Sequence, residues 1–190
     1  RKHEIEFASY TCCSECISGG GWELPNGIGV YCLNTAICSY GGCSDESGEG
    51  VSDRGNLYIN TRRIQEWLAK FGDGLKIMVM HHPCDWLVEW AQVELQKTIA
   101  NSFDLVFSGH IHDGSTSWAI KNQKGSVSCV APPLFTDKHG LLGYGIIKIA
   151  EESHSIEVCY RQWSSQGGGF VLGTAISGND SGCMIFSEML

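Results

Sequence analysis

No stretch of the 190-residue chain reaches the ~18 consecutive apolar residues of a membrane-spanning helix, so no membrane span is expected. The basic start Arg1-Lys2 has no apolar run behind it and does not read as a secretory signal. The first residue is not methionine either, and the expectation is an internal piece of a longer reading frame. Basic residues are scarce: 13 Lys and Arg face 21 Asp and Glu, a net charge of −8. A diffuse acidic surface carries no nucleic-acid-binding signal and argues against an anionic-membrane binder held by charge. No internal repeat is visible. Ten cysteines fall short of the ~8–10% that marks a disulfide scaffold. Without a leader the default compartment is reducing, so free thiols and a cytoplasmic location are expected.

Six cysteines crowd the first quarter. Cys13-x-x-Cys16 and Cys38-x-x-x-x-Cys43 could in principle build a zinc knuckle, but the second spacing is loose and free thiols are the preferred reading. Cys84, Cys129, Cys159 and Cys183 lie in apolar runs and read as small core residues. Glycine is abundant, 24 residues against an average of ~7%, which implies many tight turns.

The length suits one domain. Gly19-Gly20-Gly21 reads as a breaker, Ile28 to Leu33 as a buried strand, and residues 39–56 as a long loop. Ile64, Trp67, Leu68 and Phe71 form one stripe of a helix over Thr61 to Phe71, with Asn60 or Thr61 as cap and Gly72 just past its end. Leu75 to Met80 is the next strand. A helix over Trp86 to Ala100 follows, with Asp85 as cap and a stripe of Leu87, Ala91, Leu95 and Ile99 widened by Val88 and Trp90. Phe103 to Phe107 is another strand. The last third reads as all-β, over Trp118–Lys121, Ser126–Val130, Tyr144–Ala150 and Ser155–Arg161. A Ser/Gly-rich stretch follows from 164, with Phe170 to Leu172 as one further candidate strand.

The chemistry concentrates in residues 75–112. Strand, helix, strand is a βαβ unit, and its crossover is long enough for a parallel pair. Parallel strands send their C-terminal ends to one sheet edge, where ligands bind in open α/β sheets. Both strands stop there in histidines: His81-His82-Pro83 after the first, Gly109-His110-Ile111-His112 after the second. Neutral imidazole is the commonest protein ligand for transition ions. In extended chain His110 and His112 would face the same way. Alone, either motif is more often a surface or turn feature. The topology that joins them favours a metal role. His3, His139 and His154 read as exposed or locally bonded.

With these motifs in place, the sequence resembles the C-terminal half of a calcineurin-like metallophosphoesterase. The likeness rests on Ile77-Met78-Val79-Met80-His81-His82-Pro83 and Leu105-Val106-Phe107-Ser108-Gly109-His110-Ile111-His112. The segments Val30 to Thr35, Gln65 to Leu68, Gly143 to Ile149 and Glu157 to Arg161 flank them in matching order, so the resemblance covers about 28–163. It implies an α/β fold, the C-terminal part of a four-layer αββα sandwich, with two divalent or mixed-valence metal ions (Mn, Fe or Zn) at the strand ends. It implies that His81 and His110 bind one ion and His112 the other. His82 would orient a ligand or touch the phosphate of a phosphoester substrate.

The family's earlier motifs, Asp-x-His, Gly-Asp-x-x-Asp and Gly-Asn-His-Asp/Glu, have no counterpart. Asp137-Lys138-His139 has the letters of the first, but follows Pro132-Pro133 instead of an apolar strand. The bridging carboxylate and the family's general acid are therefore missing. The expectation is a parent hydrolase whose missing N-terminal half of the domain is needed, and a chain that alone binds metal weakly and turns nothing over. The alternative is a non-catalytic protein-interaction scaffold of the same fold.

Overall fold

A computed structural model describes residues 19–25, 27–40, 52–111, 115–121, 124–135, 141–150 and 155–187. The strands are β1 (Gly19–Glu23), β2 (Gly29–Leu33), β3 (Lys76–Met80), β4 (Leu105–Ser108), β5 (Ser115–Lys121), β6 (Lys124–Val130), β7 (Gly143–Ala150), β8 (Ser155–Ser164), β9 (Gly169–Leu172) and β10 (Cys183–Ser187). The helices are α1 (Thr61–Leu68), α2 (Glu89–Ser102) and the single turn α3 (Thr174–Ser177). The fold is mixed α/β. One sheet has six strands in the order β1-β2-β3-β4-β6-β5; the other has β10-β8-β7, with β9 also paired to β8.

In the larger sheet β2, β3, β4 and β6 run parallel, and β1 and β5 add antiparallel edges. Parallel strands are buried on both faces and so read as continuous apolar runs. Alternation then divides the side chains. Tyr31, Leu33, Met78, Met80 and Val106 pack against α1 and α2 through Ile64, Ala91, Leu95 and Ile99. Leu105 and Phe107 face the other way and meet Ile156, Val158 and Tyr160 of the second sheet. The described residues thus form three layers, helix on sheet on sheet. The outer face of the smaller sheet leaves Ile185 68% exposed, and no described helix covers it as a fourth layer. No described helix is long and apolar enough to cross a membrane.

Several local expectations are corrected. Gly19-Gly20-Gly21 is a strand, not a breaker: a Cβ on Gly21 would overlap the Trp67 indole, so the missing side chain lets α1 press against β1. Trp67 in turn packs on Tyr31, Phe71 and Phe103. The first helix stops at Leu68, short of Gly72, while Asn60 caps its start as expected, accepting from Arg62 N. Asp85 does not cap α2. Cys84–Trp86 form a separate 3-10 turn, and α2 begins at Glu89 with no side-chain cap. Trp90 lies outside the stripe, 57% exposed beside Tyr58. The Ser/Gly-rich stretch after 164 holds β9, α3 and the start of β10, anchored by Ile176 in the inter-sheet core. Cys159 and Cys183 are not separate core thiols: they face each other across β8 and β10 and are disulfide-bonded. The premise of reduced thiols behind the cytoplasmic expectation does not hold for this pair.

Candidate metal centre

The parallel register of β3 and β4 pairs Ile77 with Leu105 and Val79 with Phe107. Both strands therefore end level, and the backbone N–H of Gly109 donates to the His81 carbonyl at 3.0 Å. The βαβ expectation holds: residues 29 positions apart meet, with His110 Nδ1 2.9 Å from His81 Nε2. At this distance two neutral imidazoles either share one N–H or turn both lone pairs on an ion. Metal–nitrogen bonds of ~2.0–2.1 Å at a right angle separate two nitrogens by about 2.9 Å, whereas a tetrahedral ion separates them by about 3.4 Å. The pair as placed suits right-angled ligation, and a small opening suits zinc.

His110 has φ of 71°, the one positive value among the described non-glycine residues. The N–H of Ile111 donates to the Gly109 carbonyl at 2.9 Å, so His110 is the centre of a γ-turn. Such a conformation costs of order 1–3 kcal/mol and persists where the surroundings enforce it, often at functional sites. It also corrects the expectation of extended chain at His110. His112 lies outside the described residues, as do His3, His139, His154 and four of the six cysteines of the first quarter, Cys12, Cys13, Cys16 and Cys43; Cys32 and Cys38 are free thiols.

His82 is 2% exposed, with its ring 4.6 Å from that of His81 between centres. One of its ring nitrogens lies within 4.8 Å of a ring nitrogen of His81 and of His110, so proximity alone would admit a third ligand. Its hydrogen bonding commits one ring nitrogen elsewhere. The buried Thr35 hydroxyl, just past β2, accepts from His82 N at 2.9 Å and lies 3.1 Å from His82 Nδ1. The hydroxyl keeps a second lone pair and one hydrogen, so it serves Nδ1 in either ring tautomer, and Nε2 is left for the site. Burial, then the His110 and His81 rings, hold its pKa below the usual imidazole value, against the pull of Asp53 and Thr35; the neutral form is favoured.

Three residues here escaped the sequence reading. Thr35 lies two residues past β2, a third parallel strand on the same edge, a position the edge rule could have flagged. Trp86 stands edge-on to His110 at 4.2 Å between ring centres and beside His82 at 5.3 Å. Its carbonyl accepts from the N–H groups of Gly55 and Leu57, while its buried Nε1–H has no acceptor among the described residues. Asp53 accepts from Ser39 Oγ and Tyr40 N, both at 2.6 Å, and so ties together the described ends of the long loop beside His82. No local pattern marks Trp86 or Asp53.

No family model and no curated protein matches the sequence.

Proposed function

We propose that this chain carries the nitrogen ligands of a metal-dependent phosphoester hydrolase of the calcineurin-like type, built on a four-layer αββα sandwich. The observation that carries the reading is the His81–His110 pair, two imidazole nitrogens 2.9 Å apart at the ends of adjacent parallel strands. The strained His110 backbone and the orphaned Trp86 N–H support it, since a buried donor beside the imidazoles calls for an oxygen acceptor.

In this reading His81 Nε2 and His110 Nδ1 hold one ion, and His112 serves a second. Transition ions of this kind, when bound, draw in phosphate oxygens and make water a better nucleophile. His82 donates from Nε2 to a phosphate oxygen and stays uncharged as it does so. Thr35 Oγ1 donates to Nδ1 in this tautomer. Trp86 packs against the His110 and His82 rings and holds them in place. The His group contains no carboxylate among the described residues, so carboxylate ligands of the family type are to be sought outside them.

The test is manganese binding followed by electron paramagnetic resonance, with hydrolysis of an aryl phosphate and an aryl phosphodiester alongside. His81→Ala and His110→Ala should each weaken the same bound ion. Ion binding indifferent to both substitutions would overturn the proposal.

A further inference from the structure

A second cluster of ligand-type side chains lies on the smaller sheet, outside the histidine site. Cys159 of β8 and Cys183 of β10 are directly opposed in the antiparallel register. Glu157 precedes Cys159 by two residues and so projects from the same face. Its carboxylate and both sulfurs lie within 4.8 Å of one another. Lys148 of β7, opposite Glu157, places Nζ 2.7 Å from that carboxylate. Cys159 is only 5% exposed, while Cys183 and Glu157 are half-buried and admit an approach from solvent.

We propose that Cys159, Cys183 and Glu157 form a site for a zinc-class ion whenever the cysteine pair is reduced, and that disulfide formation empties it. Two thiolates and one carboxylate are three protein ligands of the kind such ions take, leaving a fourth position open. Zinc–sulfur bonds of ~2.3 Å in a tetrahedron put the sulfurs about 3.8 Å apart. Opposed antiparallel residues, with Cβ atoms ~4.5–5.5 Å apart, reach that spacing by side-chain rotation alone. The charges also close: two thiolates and a carboxylate are balanced by a divalent ion and the Lys148 ammonium.

A small-molecule dithiol reduces the Cys159–Cys183 bond, giving up two electrons and two protons and becoming a disulfide itself, and two cysteine thiols result. Each thiol releases its proton as it binds the ion. In reverse, a small-molecule disulfide accepts two electrons from the dithiolate and leaves as two thiolates, which take up protons from water; the Cys159–Cys183 bond forms and the ion departs. Ion and disulfide are mutually exclusive occupants of one place.

Cobalt titration of the full chain tests this, because thiolate–cobalt charge-transfer absorption reports sulfur ligation directly. After anaerobic reduction the chain should show one more equivalent of thiolate-bound cobalt than the Cys183→Ser variant. His81→Ala should leave that difference intact. Glu157→Gln, which keeps both cysteines and the disulfide, should weaken this equivalent by about tenfold or more. Treatment with a small-molecule disulfide should release it. Equal charge-transfer intensity in the reduced parent and Cys183→Ser, or Glu157→Gln affinity equal to the parent's, would overturn the proposal.

Discussion

The left-handed backbone at His110 can be weighed by a pair of substitutions that remove the same side chain and differ only at the backbone. His110→Ala and His110→Gly both delete the imidazole, its 2.9 Å partnership with His81 and its edge contact with Trp86. At an ordinary position alanine is the more stable choice, by ~0.4–1 kcal/mol, because glycine loses more freedom on folding. At φ of 71° the Cβ of alanine carries the left-handed penalty of ~1–2 kcal/mol, which glycine escapes. The difference leaves His110→Gly ahead by about 1 kcal/mol, or roughly 2–4 °C in Tm for a chain of this size. Ala69 is the internal control. It is exposed with φ of −66°, so Ala69→Gly should lose ~0.5–1 kcal/mol, the opposite order. Unfolding is followed in excess chelator, since an ion bound only by the native state would add stability to any variant that retains it. A His110→Ala variant as stable as His110→Gly, with Ala69→Gly behaving normally, would refute the strained turn and the enforcement argued from it.

Other expectations follow from the same site. Thr35→Val keeps the shape but leaves His82 N–H and Nδ1 without a buried partner, and should cost ~1–3 kcal/mol in urea unfolding, with Thr35→Ser recovering most of it. His82→Ala should retain bound manganese within a few-fold, whereas His81→Ala should lose about tenfold or more; equal losses would make His82 a ligand and reverse the tautomer assignment. Burial first, and then the Asp85 charge, push the Cys84 thiol up to about 11. At pH 8 its thiolate fraction is therefore very small, and alkylation mapped by mass spectrometry should find exposed Cys38 modified well before Cys84.

Much of the parallel core was legible because strands buried on both faces are apolar throughout. Met78 and Ile77 serve opposite faces, yet both had to be hydrophobic, and the histidines mark where the run stops. The Leu87, Ala91, Leu95, Ile99 stripe was equally readable, since all four are buried. What escaped depends on contacts between distant segments. Gly21 is a strand residue only because Trp67, on another element, occupies the space its side chain would take. The Cys159–Cys183 pairing needs the β8–β10 register, which neither local sequence reveals. The role of His82 turns on Thr35, 47 residues away, and the strain at His110 is a backbone state that its letter does not encode.

The level ends of β3 and β4 make the site unequally tolerant of changes in chain length. A residue added within α2 turns the helix beyond it by ~100° and costs packing at the buried stripe, but it leaves the β3–β4 register in place. A residue added between Lys76 and His81, or between Leu105 and His110, does not. It moves one imidazole a strand step past the other and turns it to the opposite face, uncoupling the Gly109–His81 backbone bond as well. Insertion scanning across 76–110 should therefore cost stability in the middle yet abolish the histidine pairing only at the two ends, and those ends delimit the length of chain whose spacing, beyond its composition, the histidine pair depends upon.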